Sequence, residues 1–250
     1  MARWQLLPAL LTVAACHAAV PSPPPEPPAL PVASARAAGE PFVPSKAVRW
    51  VRDSAEYRAL LLQIYRAATA HVEAEASTRE AGTWAVVTDA DETLLDNSLY
   101  QLERERKGLG FTRESWRAWT GRREAVPLPG AKAFLARVRE LGGRVAIITN
   151  RRESECADTE AVLEAHDLAY DVILCRGDDG PADKAARFEA VVRGTTPAHL
   201  PPLDVVAVLG DNIRDFPGQS QEIRDEGEEA FADFGTRFFV FPNPIYGSWE

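Results

Sequence analysis

The sequence predicts an α/β fold, a doubly wound, Rossmann-like parallel sheet of about five strands with a small helical cap. Three observations carry this. Short apolar runs rich in β-branched residues recur, amphipathic stretches of helical period separate most of them, and one long polar segment interrupts the alternation. Runs of that kind suit strands buried on both faces. Strand–helix alternation then implies parallel pairing through right-handed crossovers.

The folded part begins near Pro41. From 45 to 76, Trp50, Tyr57, Leu61, Ile64, Ala68 and Val72 recur at spacings of three, four or seven, with charged residues mostly between them. That is an amphipathic helix or helix pair whose stripe faces a core. The runs 84–87, 144–149, 171–174, 204–209 and 237–241 are the predicted strands, and 131–141, 155–165, 184–192 and 219–234 the predicted helices. Residues 97–127 lie between the first strand and the helix leading to the second, and they are too long for a plain loop. Carrying Trp116 and Trp119 among many charges, they predict a helical insert that hangs over the carboxyl ends of the strands as a cap.

Residues 1–15 hold Arg3 and an apolar stretch, 6–15, far shorter than the ~20 apolar residues of a membrane span. This reads as a secretory signal. Val13-Ala14-Ala15-Cys16 resembles a bacterial lipobox, so lipid attachment at Cys16 is expected. Pro21, Pro23, Pro24, Pro25, Pro27, Pro28 and Pro31 leave few backbone donors and make 16–40 a stiff polyproline tether. The domain 41–250 is then expected at a bacterial membrane, the outer one, facing the periplasm or the exterior. In that oxidising setting a disulfide between Cys156 and Cys175 is allowed, but free thiols are the expectation, because spacing alone does not fix geometry.

The formal net charge of −9 argues against a polyanion-binding groove, so no nucleic-acid partner is expected. His17, His71, His166 and His199 lie far apart, and the motifs H-E-x-x-H, G-x-S-x-G and G-x-x-x-x-G-K-[ST] are absent. The chemistry falls to carboxylates.

In open α/β sheets the ligand binds outside the carboxyl ends of the strands, and polar residues gather there. The first strand ends in Asp89-Ala90-Asp91-Glu92-Thr93, the second in Thr149-Asn150-Arg151 and the fourth in Gly210-Asp211-Asn212-Ile213-Arg214-Asp215, while Lys184 opens the helix after the third. A single Asp at such a place is commonly a cap or turn residue. The ordered set is not explained that way. Asp89, on the turn after a buried strand, suits nucleophilic attack on phosphorus. Asp91 suits protonation of the leaving oxygen and then removal of a proton from water. To start as an acid it must hold a proton, which a crowd of carboxylates favours. Asp89, Asp91, Asp211 and Asp215 repel one another without a cation, and a hard dication such as Mg²⁺ fits their oxygens.

Further stretches join the set: Trp50 with Ser54-Ala55-Glu56-Tyr57, Leu94-Leu95-Asp96-Asn97 after the first motif, Pro129-Gly130-Ala131, Ile148 before Thr149, and Pro242-Asn243-Pro244-Ile245-Tyr246-Gly247-Ser248-Trp249-Glu250. From about Val48 to the last residue the chain resembles the haloacid dehalogenase (HAD) superfamily, and within it the bacterial lipoprotein class C, or DDDD, acid phosphatases and 5′-nucleotidases. Ala90 stands where that family has a bulkier apolar residue, and Arg214 is a second departure. Neither removes a group the chemistry requires.

The resemblance implies an exported, metal-dependent acid phosphatase that hydrolyses phosphomonoesters, 5′-nucleotides in particular, through an aspartyl-phosphate. It implies Mg²⁺ held by Asp89, the backbone carbonyl of Asp91 and Asp211, with Asp215 as a further ligand or as an acceptor behind them. Thr149, Asn150 and Lys184 would hold the phosphoryl oxygens. Phe111, ahead of the cap tryptophans, and Tyr246 are candidates to stack a nucleotide base, although packing is the commoner role for such rings. Other readings are a phosphotransferase of the same fold with another substrate class, or a catalytically weak lipid-anchored surface protein. The presence of Asp91 favours hydrolysis over dehalogenation, and the intact set Asp89, Asp91, Lys184 and Asp211 disfavours a decayed site.

Overall fold

Ser54 divides the 45–76 pattern into two helices, α1 (Lys46–Asp53) and α2 (Ala55–Ala76). Its hydroxyl donates to the Trp50 carbonyl at 2.6 Å and accepts from the Tyr57 N–H at 3.1 Å, so one residue ends the first helix and caps the second. The computed structural model describes residues 41–250. The predicted signal 1–15, the tether 16–40 and Cys16 lie outside the described residues.

Strand β1 (Trp84–Thr88) is buried along its whole length. The insert follows as β2 (Leu95–Asp96), α3 (Ser98–Arg106), α4 (Arg113–Thr120) and β3 (Val126–Pro127). It is helical as expected, but β2 and β3 also pair antiparallel, which closes its two ends into a ribbon. The remaining elements are α5 (Ala131–Glu140), β4 (Arg144–Arg152), α6 (Cys156–Ala165), β5 (Val172–Arg176), α7 (Ala185–Arg193), β6 (Asp204–Gly210) and β7 (Phe238–Val240). The main sheet has five parallel strands in the order β5-β4-β1-β6-β7. The chain runs outward from β1 to β5 and then returns to β6, so strand order reverses beside β1. Ligand crevices of doubly wound sheets open at such a point.

The two faces of the sheet separate residue by residue. Trp84 and Val86 of β1, with Val145 and Ile147 of β4, pack into one core with α2, α5 and α6. Ala85 and Val87, with Ala146 and Ile148, face the other way and pack with Val191 and Phe188 of α7 and with Phe216. This period of two is the strand signature, hidden in the sequence because both faces are covered. Full burial of each Val, Leu or Ile contributes roughly 1.5–3 kcal/mol, which anchors the strand ends from which the polar loops start.

Two expectations are corrected. Residues 219–234 do not form one helix. They form two short 3-10 segments, Gln221–Asp225 and Glu228–Phe231, separated by an extended Gly227. A run of like charges, Asp225, Glu226, Glu228 and Glu229, surrounds that glycine and disfavours a continuous helix. Cys156 and Cys175 are not free thiols but a disulfide, with Cα atoms 6.0 Å apart. The right-handed crossover places the first residue of α6 beside the neighbouring strand β5, a proximity that spacing along the chain does not reveal. Among the described residues no helix is long and apolar enough to cross a membrane.

Candidate active site

The ends of β1 and β6 lie side by side. Asp89 donates its backbone N–H to the Leu209 carbonyl at 2.9 Å, so the first residue past β1 is held against the last turn of β6. Asp211 and Asp215 follow β6 on a turn that reverses sharply. The Asp215 carboxylate accepts from the Asn212 N–H at 2.9 Å, and the Asn212 side chain accepts from the Arg214 N–H at 3.1 Å. Gly210 makes this possible, because a Cβ there would sit 2.4 Å from that of Asp215. One carboxylate oxygen from each of Asp89, Asp211 and Asp215 lies within 4.8 Å of the other two.

Lys184 enters from the start of α7. The Asp183 carboxylate accepts from the Ala185 N–H at 2.6 Å, a turn that spans Lys184, the residue at the helix start. Its ammonium lies 2.5 Å from Asp89 Oδ1 and 2.7 Å from Asp215 Oδ1, with all three side chains at most 9% exposed. Burial pulls the lysine down, yet attraction to the two carboxylates outweighs it and raises its pKa. Asp89 moves the opposite way for a salt-bridged acid. Burial pushes it up to about 7, with Lys184 pulling down and Asp215 and Asp91 pushing up again. One ammonium cannot balance that many carboxylates. Burial, then Asp215 and Asp89, likewise raises Asp211 well above the usual range.

The donor set fits a hard divalent cation. Three buried or half-buried carboxylates against one ammonium leave two negative charges, the charge of one such ion, and every donor is an oxygen. Asn243, from the carboxyl-terminal stretch, donates to Asp211 Oδ2 at 2.8 Å and fixes that carboxylate.

Asp91 has a different environment from the crowd of carboxylates that the sequence suggests. Its Oδ1 accepts from Asn97 Nδ2 at 2.8 Å, Arg151 Nη2 at 2.7 Å and Arg151 Nε at 3.0 Å. Among the described residues its Oδ2 accepts from Arg151 Nε alone, at 3.1 Å. Arg151 was legible as a motif residue, but its hold on Asp91 was not. Strand β4 runs to Arg152, past the predicted end at 149, and so carries Arg151 over the site.

Thr149 is fully buried, and its hydroxyl accepts from the Arg151 N–H at 3.1 Å, leaving its own proton to donate. Asn150 is exposed, and its side-chain oxygen accepts from Arg187 Nη2 at 2.7 Å. Arg187, which also donates to the Thr149 carbonyl, was missed. Its position three residues after Lys184, on the same helical face, was the available signal.

Glu92 was missed as well. It is buried at the left-handed φ of 52°, accepts from the Asn97 N–H at 3.0 Å through Oε1, and accepts from the Tyr246 hydroxyl through Oε2. Tyr246 therefore lies against the Asp91 turn, half-buried. Phe111 is 60% exposed on the cap, with its ring centroid 6.3 Å from that of Trp116. Among the described residues Phe111 and Tyr246 make no ring contact with each other. Trp119 is buried and donates its indole N–H to Asn97 Oδ1 at 2.9 Å, so it is a packing residue of the cap with a polar link to the site.

This arrangement brings a buried carboxylate, a second carboxylate in the adjacent turn, a lysine and a cation-sized cluster of oxygens to one strand-end crevice, as acyl-phosphate chemistry requires. Residues 32–249 match the family model for the HAD superfamily, subfamily IIIB (acid phosphatase). The chain is also similar to the class C acid phosphatase from Bacillus anthracis with tungstate bound, at 31% identity over 81% of this chain and 84% of that one, with a TM-score of 0.72. A second structure of the class C acid phosphatase from Bacillus anthracis matches at 31% identity over the same shares, with a TM-score of 0.71. The fold, the strand-end carboxylates and these matches agree: the chain belongs to the subfamily IIIB acid phosphatases of the HAD superfamily, enzymes that hydrolyse small-molecule phosphomonoesters.

Proposed function

We propose that the protein is a lipid-anchored, Mg²⁺-dependent acid phosphatase that acts on 5′-nucleotides through a phosphorylated Asp89. The observation that carries the reading is the Lys184 ammonium shared between Asp89 and Asp215, with Asp211 alongside. It holds Asp89 in place and offsets the charge of an incoming phosphoryl group. The Bacillus anthracis class C acid phosphatase with tungstate bound, a tetrahedral oxyanion like phosphate, accords with a phosphate-binding enzyme.

In the first step an Asp89 oxygen attacks phosphorus, the P–O bond to the alcohol breaks, and Asp91 gives its proton to the departing oxygen. Asp91 Oδ1 is filled by three donors, so Oδ2, which accepts only one long contact, is the oxygen with room for that proton. In the second step water attacks the phosphorus of the aspartyl-phosphate, Asp91 Oδ2 takes the water proton, and Asp89 is regenerated as the P–O bond to it breaks. Thr149 and Lys184 donate to the phosphoryl oxygens, and Asn150 borders them at the rim. Mg²⁺, held by Asp89, the Asp91 carbonyl, Asp211 and Asp215, would supply charge compensation to the same oxygens.

Stacking on two rings is the means by which the site would prefer a nucleotide. Phe111 presents an open aromatic face on the cap and Tyr246 lies at the Asp91 turn. Stacking is worth ~1–3 kcal/mol per base and tolerates any base. The anchor rests on Val13-Ala14-Ala15-Cys16 and the proline tether.

The test is kcat/KM for a 5′-nucleotide, a sugar phosphate and a chromogenic aryl phosphate, each with Mg²⁺ and with chelator. The reading requires turnover of all three with Mg²⁺, none with chelator, and preference for the nucleotide. Tyr246→Ala should erase that preference, while Tyr246→Phe, which keeps the ring and removes the Glu92 contact, should keep it. A sugar phosphate preferred by the wild type sinks the nucleotide assignment. Cys16→Ser should move the protein from the membrane fraction to the soluble one, and a soluble wild type would overturn the anchor.

A further inference from the structure

Arg151 commits its whole guanidinium to partners that surround the proposed acid. Nε and Nη2 grip Asp91 at 2.7–3.1 Å, Nη2 also reaches Asn97 Oδ1 at 3.2 Å, and Nη1 donates to Thr159 Oγ1 at 3.3 Å. Its carbon stands 5.7 Å over the centroid of the Trp116 ring. The side chain is 1% exposed, so no face is left for a phosphate. Asn97, itself fully buried, closes the ring of contacts. It donates to Asp91 through Nδ2 and accepts from the Trp119 indole, on the cap helix, through Oδ1.

We propose that Arg151 is the positioning residue for Asp91, and that Asn97 and Trp119 tie that position to the cap. The inference rests on the reading of Asp91 as the acid. A planar fork with two parallel donors fixes both the place and the tilt of a carboxyl group, which the point charge of a lysine does not. By filling Oδ1 the fork leaves Oδ2 as the oxygen with room for the proton. Proton transfer needs heavy atoms within about 2.6–3.2 Å, so a carboxyl free to rotate spends little time in reach. The indole bond to Asn97 makes the seating of the cap and the aim of the acid a single arrangement. The guanidinium's hydrogen-bond partners are Asp91, Asn97 and Thr159, and its one contact with the oxygen that carries the proton is the 3.1 Å bond from Nε to Asp91 Oδ2. Arg151 acts through Asp91.

Leaving groups separate this role from a structural one. 2,4-Dinitrophenolate departs without a proton, whereas an alkoxide does not. The experiment compares kcat/KM, which reports the steps through phosphoryl transfer to the enzyme, for 2,4-dinitrophenyl phosphate and a simple alkyl phosphate. The variants are Arg151→Ala, Arg151→Lys, Trp119→Phe and Asp91→Asn, with the fold of each checked by circular dichroism and Tm. Arg151→Ala should lose about 10- to 100-fold more on the alkyl ester than on the dinitrophenyl ester, part of the ~10²–10⁴-fold that a well-aimed general acid supplies. Arg151→Lys and Trp119→Phe should show the same bias in smaller measure, and they carry the test if the alanine variant does not fold. Added guanidinium ion should restore the alkyl ester selectively in Arg151→Ala. Equal losses on both esters in folded Arg151 variants would overturn the proposal. If Asp91→Asn itself shows no bias toward the alkyl ester, the acid reading of Asp91 is what fails.

Discussion

Lys184 donates to Asp89 at 2.5 Å across 95 residues of sequence, and the same ammonium reaches Asp215 at 2.7 Å. A buried cation shared in this way ties the ends of β1 and β6 to the start of α7. It also leaves the carboxylates under-compensated, and the predictions follow from that imbalance.

Lys184→Met leaves Asp89 and Asp215 buried without their shared partner. Breaking a buried pair by removing one member costs roughly 3–5 kcal/mol. In chelator at pH 8 the urea midpoint should fall accordingly, and less at pH 5, where Asp89 is protonated. Loss of one preorganised donor to the transition state should lower kcat about 10²–10³-fold. A variant with unchanged kcat would remove Lys184 from the phosphate site.

Asp211→Asn keeps the shape of the side chain and the contact from Asn243 becomes an amide–amide one, but a charged oxygen ligand is lost. The Mg²⁺ concentration for half-maximal activity should rise about tenfold or more, with KM for the aryl phosphate little changed at saturating Mg²⁺. Titrating activity with Mg²⁺ reads both numbers. An unaltered Mg²⁺ requirement would place the cation elsewhere.

The raised carboxylates set a pH dependence. Asp89 has a folded-state pKa of about 7 against 3.8 unfolded, so without metal the folded chain binds more protons between these values. Its contribution is fully present at low pH and is lost as pH rises through about 7. Glu92 and Asp211, also raised, act in the same sense. Mg²⁺ favours the carboxylate forms and competes with those protons. The rise in Tm on adding Mg²⁺ should therefore be larger at pH 7 than at pH 5. Equal rises at both would contradict the assignment of Asp89 and Asp211 as ligands.

The disulfide closes a loop with a sequence separation of 19 between β5 and the start of α6. In the chain-entropy model a loop of this size is worth about 3 kcal/mol. Reductant, or Cys156→Ser with Cys175→Ser, should lower the Tm with the kcat of the surviving folded protein retained. A Tm indifferent to reductant would mean the bond contributes nothing to the fold.

The carboxylates were legible because strand ends are. Asp89, Asp91, Asp211 and Asp215 each follow a short apolar run, and the sheet order brings those runs together. Arg151 was visible as a motif residue, but its hold on Asp91 escaped because β4 continues through polar residues, where hydrophobic periodicity falls silent. Arg187 and Glu92 escaped for another reason. Their roles are set by partners far along the chain, the Thr149 carbonyl and the Tyr246 hydroxyl, which no local pattern encodes. The disulfide is the same case. Residues 219–234 show the opposite error, in which apolar spacing suggested a helix and local charge and Gly227 prevented it.

Whether Asp89 carries the phosphoryl group is the central claim, and trapping it is the most direct measurement. Enzyme quenched in acid during turnover of an aryl phosphate, reduced with borohydride and digested, should yield homoserine at position 89 and nowhere else, since borohydride reduces an acyl-phosphate and spares a carboxylate. Asp89→Asn, lacking the nucleophile, should give none and should not turn over. Label at another residue, or an Asp89→Asn protein with wild-type activity, would contradict the account.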